Sequence, residues 1–273
     1  MSRSAPAAAV VRWILAFALV PAAEAVAQTP SEWPVRCSPR TIGGARYRVC
    51  EIAPAAVPRI QLTAREAGGR PVRTIARVDS LVRGRGERLL FATNAGLYER
   101  VDSATGLLVA DGGRTYSRLN RGAGPPDPCG VANFYCPPNG VFFVAGGRAA
   151  VLSTADFAAR PASRAAPSVA SQSGPMLVRG GALARGFAAN SRSRKVRNGV
   201  GVRRDGSVVF AIADSEVTFR DFAVAFRDAF GCRDALFLDG SISQLYAGPG
   251  TRLPPRSGEF AAVFTVTRAA DRR

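Results

Sequence analysis

Histidine does not occur anywhere in this 273-residue sequence. Without an imidazole the chain cannot form a serine–histidine or cysteine–histidine nucleophile pair, and a zinc site that uses histidine is excluded. Lysine is almost absent as well, because Lys195 is the single example and nearly all positive charge is arginine. Any chemistry must therefore rest on carboxylates, amides, hydroxyls and guanidinium groups.

The sequence also lacks an apolar run of the roughly 20 residues that a membrane-spanning helix needs. Residues 13–20 are apolar, follow Arg3 and Arg12, and precede an Ala-Val-Ala pattern that ends at Ala27. This order is typical of a cleaved secretory signal peptide over residues 1–27, with an uncleaved membrane anchor as the alternative. We expect a periplasmic or secreted protein that has no stable membrane span after cleavage.

Acidic residues are few, and the formal net charge of the whole chain is +17. A strongly positive protein attracts anionic ligands, although nucleotide bias in the genome also favours arginine over lysine. The arginines are scattered rather than gathered in a stripe with aromatics, which disfavours nucleic acid as a partner. A phosphorylated sugar or an acidic glycan is the expected partner.

Cysteines number five, and their spacing suggests how they pair. In an oxidising compartment Cys37 with Cys50 and Cys129 with Cys136 are the close pairs, which would leave Cys232 as a buried, inert thiol. A cysteine metal cluster is the competing interpretation, but no pair has the C-x-x-C spacing. We therefore predict two disulfides, whose pairing the sequence alone does not fix, and no metal site or cofactor.

The order of apolar runs predicts an α+β fold, with a mixed, largely antiparallel sheet core and a few packed helices in a single domain. After the signal we expect an irregular, disulfide-stapled lead-in over residues 28–45, one domain over 46–268 and a tail over 269–273. A long functional loop is predicted over residues 97–139. Predicted strands cover residues 47–52, 88–93, 141–145, 149–152, 200–203, 208–212, 235–238 and 260–266. Predicted helices cover residues 74–82 and a segment capped by Thr218, with Phe219, Phe222, Phe226 and Phe230 along one face.

Polar residues follow several of these strands, and most of them adjoin glycine. The apolar residues 235–238 lead directly into Asp239 and Gly240, which places a carboxylate at the end of a covered strand. Asn-Gly and Asp-Gly are also ordinary turn signals, so each position alone is weak. The candidate site residues are Asn94, Asn139, Gln172, Ser173, Gly174, Arg197, Asn198, Asp214, Asp239, Gly240 and Ser243.

The order of five motifs is more specific than any one of them. FATNAGLY, NGVFF, QSGPMLV, RNGVGV and LFLDGSISQLY occur in this order between residues 91 and 246. In this order the sequence resembles the phosphodiester glycosidase family, over roughly residues 91–266, and looks most similar to exported bacterial members. The family's Leu-Asp-Gly-Gly is here Leu-Asp-Gly-Ser, with Ser241 in place of the second glycine. The resemblance implies hydrolysis of the sugar–phosphate bond of a glycosyl phosphodiester.

These residues suit a histidine-free glycosidase, because phosphate leaves without a strong general acid. Asp239, with Asp214 as the second candidate, would be the nucleophile or the base that activates water. Arg197 is the predicted phosphate clamp, and the amides and hydroxyls are the predicted sugar or phosphate contacts. A divalent cation on Asp214 and Asp239 is an alternative. A different class of function is a non-catalytic exported module that binds phosphorylated or acidic glycan.

Overall fold

The computed structural model is a protein built mostly of strands, and every strand pair within the described residues is antiparallel. This confirms the predicted α+β class with a largely antiparallel core and few helices. The predicted signal peptide and the predicted pair Cys129 and Cys136 lie outside the described residues. Those residues are 33–100, 103–122, 139–161, 163–184, 186–251 and 258–270.

The strands are numbered β1 to β18 in chain order. They are β1 (Val35–Ile42), β2 (Ala45–Ile52), β3 (Gln61–Thr63), β4 (Glu87–Asn94), β5 (Tyr98–Arg100), β6 (Ser103–Ala104), β7 (Leu108–Ala110), β8 (Arg114–Ser117), β9 (Gly140–Ala145), β10 (Arg148–Ser153), β11 (Val169–Ser173), β12 (Met176–Arg179), β13 (Ala182–Leu183), β14 (Asn198–Arg203), β15 (Val208–Ala213), β16 (Cys232–Asp239), β17 (Leu245–Tyr246) and β18 (Val263–Ala269). The α-helices are α1 (Ile75–Gly84), α2 (Thr154–Ala158) and α3 (Phe219–Val224). A 3₁₀ helix covers Pro54–Arg59, and a π-helical turn, Ala225–Ala229, continues α3.

Three sheets meet around the main core. Their strand orders are β1-β2-β15-β14-β16-β12-β13, β10-β9-β11-β7-β8 and β17-β4-β18-β3, and β5 and β6 form a separate hairpin. Each of the three contributes to one aromatic cluster, in which Phe210 lies 4.9 Å from Phe91 and 5.7 Å from Phe142 between ring centroids. Edge and tilted ring contacts of this kind add to the burial of apolar surface. The cluster therefore fixes the three sheets against one another.

The other face of the seven-stranded sheet is covered by α3 and the turn after it. A capping box at Thr218 starts the helix, as predicted, and its phenylalanines pack on the sheet. β14 has glycine where these rings approach: a Cβ on Gly199 would lie 3.1 Å from Phe222, and one on Gly201 would lie 2.9 Å from Phe226. The glycines of RNGVGV thus permit close helix packing rather than contact with a ligand.

Two local predictions are wrong. The lead-in over residues 28–45 is not irregular throughout, because β1 pairs along its whole length with β2. The predicted disulfide between Cys37 and Cys50 is confirmed, and the two residues lie directly opposite each other in that hairpin. Residues 97–139 are not a plain loop, since the short strands β5 to β8 fall within them. These strands are two to four residues long, too short for their alternation to be recognised.

Cys232 is free and buried, as predicted, and burial raises the pKa of its thiol to about 12. A thiol with so high a pKa is protonated and inert at neutral pH.

Within the described ranges, no helix combines the length and apolar character that crossing a membrane requires.

Candidate active site

Asp239 ends β16 at a β-bulge. Asn198 on β14 pairs with Asp239, whereas the next residue, Gly199, pairs with Phe237, so Leu238 is the extra residue. A bulge re-aims the side chains beside it and is frequent next to active sites. Here it brings Asp239 next to Asn198.

The Asp239 carboxyl group is buried but not fully engaged. Asp239 is only 4% exposed. Its Oδ1 accepts hydrogen bonds from the backbone amides of Ser241 (2.6 Å) and Ile242 (2.9 Å). None of the described hydrogen bonds ends on Oδ2. Burial raises the pKa of Asp239, while the backbone amides of Ile242, Ser241 and Gly240 act in the opposite direction. The carboxyl group therefore has one oxygen fixed by two backbone amides, and it holds a proton more readily than an exposed aspartate does.

Asn198 is the centre of the hydrogen-bond network around this carboxyl group. Its Oδ1 accepts from the Asp239 amide at 2.9 Å, and its Nδ2 donates to Asn94 Oδ1 and to Thr93 Oγ1, both at 3.0 Å. Asn94 Oδ1 also accepts from the Gln244 amide at 2.9 Å. The two asparagines thus join β4 of the four-stranded sheet to the Asp239 strand end. Both were predicted as substrate contacts, and the hydrogen bonds described for their side chains are made within the protein.

Two serines bind the backbone carbonyl groups of Asp239 and of the residue before it. Ser243 Oγ donates to the Asp239 carbonyl oxygen at 2.9 Å, and Ser173 Oγ donates to the Leu238 carbonyl oxygen at 3.0 Å. Gly240 follows the carboxylate where space is tight, because a Cβ there would lie 3.2 Å from the ring of Phe237. These three predicted residues therefore shape the turn that presents Asp239.

β11 approaches the end of β4 very closely. A Cβ on Gly96 would lie 2.7 Å from the carbonyl oxygen of Gln172 and 2.8 Å from Ser173 Cβ, so only glycine fits there. The Gly96 amide donates to Ser171 Oγ at 3.1 Å. Gly174 follows in the turn from β11 to β12, where its bond to Pro175 is cis. Ser173, at the end of β11, is linked to the Asp239 strand by its hydrogen bond to the Leu238 carbonyl oxygen.

Gln172 and Asn139, predicted as ligand contacts, make hydrogen bonds within the protein. Gln172 Oε1 accepts from the amides of Leu107 (3.0 Å) and Asn120 (2.9 Å), and Nε2 donates to Asn120 O (2.8 Å) and Thr154 Oγ1 (3.0 Å). Asn139 Oδ1 accepts from Thr154 Oγ1 at 2.6 Å. Both donors and both lone pairs of the Gln172 amide are engaged. Gln172 therefore holds the chain around Leu107 and Asn120 in place.

Arg197 is buried on the face opposite to Asn198, because successive strand residues alternate. Its Nε donates to Val217 O and its Nη2 to Ser193 O, both at 3.0 Å, and its guanidinium lies 3.6 Å from the centre of the Phe219 ring. Burial lowers the pKa of Arg197 to about 10, so it remains charged at neutral pH. Nη1 is buried and has no hydrogen-bond partner among the described residues. Arg197, the predicted phosphate clamp, thus lies on the opposite face of the sheet from the Asn198 network. It contributes a positive charge but does not expose its guanidinium group for a bidentate contact.

Asp214 is separated from Asp239. Its partners are Arg48 at 3.6 Å and Arg46 at 3.8 Å, and its side chain is 27% exposed. β14 lies between β15 and β16, so the strands that carry the two carboxylates are about 9.5 Å apart in the sheet. Asp214 also lies two residues beyond Ile212, the residue that pairs with Asn198. Among the described residues, no hydrogen bond or ion pair joins Asp214 to Asp239 or to Asn198. The structure therefore places the two predicted catalytic residues in separate sets of contacts.

Tyr98 is a neighbour of Asp239 that sequence reasoning missed. Burial, followed by the charge of Asp239, raises the pKa of Tyr98 to about 12. The phenol donates to the carbonyl oxygen of Glu259, whose carboxylate pairs with Arg73 at 2.6 Å. The signal was the aromatic residue that ends FATNAGLY. Thr93, Gly96 and Gln244 were missed as well, because their roles depend on contacts between sheets.

The predicted alternative of a divalent cation requires free oxygen ligands. Among the residues that the structure describes, no three cysteine, aspartate or glutamate side chains form a group suited to a metal. The amide oxygens of Asn94 and Asn198 already accept hydrogen bonds, and Asp214 is paired with arginines. The side chains around Asp239 are thus arranged to hold one another.

Comparisons with known proteins point to one family. A family model described as phosphodiester glycosidase matches residues 87–266. The uncharacterized protein YigE of Escherichia coli K12 is 29% identical over 210 residues, which are 77% of this chain and 78% of that protein. The fold is similar to the zebrafish N-acetylglucosamine-1-phosphodiester alpha-N-acetylglucosaminidase catalytic domain, auto-inhibited by its pro-peptide. That match has a TM-score of 0.56 and 13% identity, and it covers 87% of this chain and 85% of that one.

Proposed function

The chain belongs to the phosphodiester glycosidase family, and from this premise we propose that it is an exported hydrolase that cleaves the bond between a sugar and a phosphate in a glycosyl phosphodiester. The observation that carries the proposal is the buried Asp239 carboxyl group. One of its oxygens is fixed by two backbone amides, and the other accepts none of the described hydrogen bonds. Of the two candidate carboxylates, Asp239 is the one that lies within the five motifs on which the family resemblance rests.

The chemistry needs one carboxylate and no imidazole. When the bond between the anomeric carbon and a phosphate oxygen breaks, positive charge develops on the sugar and the phosphate departs as a stable anion. Asp239 Oδ2 stabilises that charge and either attacks the anomeric carbon or takes a proton from the attacking water. Fixing Oδ1 beforehand means that the carboxylate does not reorganise during the reaction.

The surrounding residues keep the carboxylate in place and favour an anion. Asn198 and Ser243 hold the Asp239 backbone, while Asn94 ties Asn198 to β4. Arg197 supplies a buried positive charge close behind Asn198, and in a low-dielectric surrounding such a charge attracts phosphate more strongly than it would in water. The proposed substrate is therefore a phosphorylated sugar or glycan.

Export is supported by two features of the chain. The N-terminal sequence has the order of a secretory signal, and Cys37 is bonded to Cys50. Disulfides persist in oxidising compartments such as the bacterial periplasm or the exterior. We place the protein in the periplasm or outside the cell, where it acts on envelope or extracellular polysaccharide.

The proposal is tested by release of free sugar from N-acetylglucosamine 1-(methyl phosphate), a diester of the kind named in the zebrafish relative. Wild type should release the sugar, and Asp239→Asn should lower kcat by at least about 100-fold because the carboxylate is lost while the shape is kept. Asp214→Asn is the matched control and should retain the wild-type rate. Circular dichroism of each variant reports folding.

The possible results separate the two classes of function. A folded, fully active Asp239→Asn variant would remove Asp239 from the mechanism. Tight binding of the diester by wild type without release of sugar would favour the non-catalytic module that binds phosphorylated glycan.

A further inference from the structure

A row of cross-strand neighbours leads from Asp239 to an arginine pair. Asp239 pairs with Asn198, Asn198 pairs with Ile212, and Ile212 pairs with Arg48 on β2. Directly opposed residues of antiparallel strands present their side chains on the same face of the sheet. Arg46 lies two residues from Arg48 and therefore on that face as well. The face that holds the carboxylate thus continues into two arginines.

The arginines come from a part of the chain that the family model does not reach. The family match begins at residue 87, whereas Arg46 and Arg48 lie on β2. β2 pairs with β15 along six residues, and the disulfide between Cys37 and Cys50 closes the β1–β2 hairpin. The position of the two arginines beside the site is therefore fixed by the sheet and reinforced by a covalent bond.

Both guanidinium groups keep donors for a ligand. Arg46 and Arg48 lie 3.8 Å and 3.6 Å from the Asp214 carboxylate, distances that are too long for direct hydrogen bonds. Their side chains are 71% and 42% exposed. One carboxylate against two guanidinium groups leaves a net positive charge beside the row.

We propose that Arg46 and Arg48 form an anion-binding subsite, separate from the position of the phosphate at Asp239. This subsite binds a negatively charged group on the alcohol that esterifies the phosphate. This inference rests on the proposed function, because it takes Asp239 as the position of the anomeric carbon. From Asp239, the phosphate and its alcohol extend along the row towards Arg46 and Arg48. The uncharged sugar lies on the opposite side of Asp239. Ile212, which is 9% exposed and belongs to the apolar core, lies between the two ends of the row.

The geometry sets the size of the substrate. Asp239 and Arg48 are three strand spacings apart, which is about 14 Å between their backbones, and the arginine side chain shortens the gap. An alcohol with a short apolar linker and a terminal phosphate or carboxylate spans this distance. The preferred substrate class is thus a sugar phosphodiester of an anionic alcohol, as occurs in a phosphorylated glycan chain.

The first experiment compares two synthetic diesters of N-acetylglucosamine 1-phosphate, one with a 6-phosphohexyl group and one with a 6-hydroxyhexyl group. Wild type should hydrolyse the phosphohexyl diester with a kcat/KM about tenfold higher, and this ratio should shrink as salt is added. Arg46→Gln with Arg48→Gln should bring the ratio close to one. Arg36→Gln with Arg40→Gln is the charge-matched control and should keep the wild-type ratio.

The control is matched because Arg36 and Arg40 lie on the same hairpin but on its other face. Arg40 pairs with Tyr47, whose ring packs under the α3 segment against Phe222 and Phe230. A ratio that survives in the Arg46 and Arg48 variant, or that falls equally in the control, would overturn the inference.

A second experiment does not depend on turnover. Calorimetry should show that wild type and the control bind 1,6-hexanediol bisphosphate about tenfold more tightly than the Arg46 and Arg48 variant does. Equal binding by all three proteins, or no binding by wild type, would contradict the subsite. If wild type hydrolyses neither diester but shows the expected difference in binding, the proposed hydrolysis of this sugar fails and the subsite stands.

Discussion

Replacing Asn198 with alanine tests whether the network around Asp239 positions the catalytic carboxylate. The substitution removes the acceptor of the Asp239 amide and the donor shared by Asn94 Oδ1 and Thr93 Oγ1. Asn198 is 1% exposed, so water does not simply replace these bonds. We expect a loss of stability together with a misplaced Asp239.

The cost follows from what each partner keeps. The Asp239 amide loses the acceptor Asn198 Oδ1, which costs about 1–3 kcal/mol for a buried donor. Asn94 Oδ1 still accepts from Gln244, and Thr93 Oγ1 still donates to Gln244 O, so these two lose about 1–2 kcal/mol together. The free energy of unfolding should fall by about 2–5 kcal/mol. Urea denaturation measures this loss.

Gln172→Ala is the matched control for this prediction. Gln172 is 2% exposed and makes four hydrogen bonds of 2.8–3.0 Å, so its removal should cost a similar amount of stability. Its amide supports the neighbouring loop rather than Asp239. Under conditions where both variants are folded, kcat for sugar release should fall far more for Asn198→Ala. Equal kcat values, or a stability loss below about 1 kcal/mol for Asn198→Ala, would refute the positioning role.

Three further predictions follow from single contacts. Burial raises the pKa of Asp239, so wild type loses stability as pH rises from the ordinary value of about 3.9 through the folded pKa, whereas Asp239→Asn cannot ionise. Across this pH interval, the unfolding free energy of the variant should rise relative to that of wild type. Urea denaturation that gives parallel pH profiles for the two proteins would contradict a raised pKa at Asp239. Cys37→Ala with Cys50→Ala opens a loop with a sequence separation of 13 and should cost about 3 kcal/mol in thermal denaturation, without loss of the fold. Thr218→Ala breaks the capping box of α3 and should cost about 1 kcal/mol, while Thr218→Ser should restore most of it.

Local sequence was sufficient where an element carries its own signals. The Thr218 cap and the phenylalanine spacing predicted α3, and apolar runs flanking turn residues predicted the β9–β10 and β14–β15 hairpins. β1 was missed because its arginines, serine and proline read as irregular chain. It is a strand because β2 offers it a paired edge, and an edge strand tolerates proline. That information lies in the partner strand.

The candidate site divides along the same line. Asp239, Asn198 and Asn94 were predicted from strand ends, and the structure joins them by direct hydrogen bonds. Arg197 and Asp214 were predicted by the same reasoning, yet strand alternation buries Arg197 on the opposite face and the strand order separates Asp214 from Asp239. Sequence spacing does not reveal strand order, so it could not distinguish these cases.

The sequence by itself determined the chemistry that is possible. A chain without histidine must rely on carboxylates, amides, hydroxyls and guanidinium groups, an aspartate ends a covered strand, and the motif order identified the family. Only the tertiary structure decided which residues share the site. A β-bulge at Leu238 sets Asp239 beside Asn198, and the pairing of β2 with β15 brings Arg48 into the same row. Register and strand order arise from contacts between distant segments, whose energies no local stretch of sequence contains.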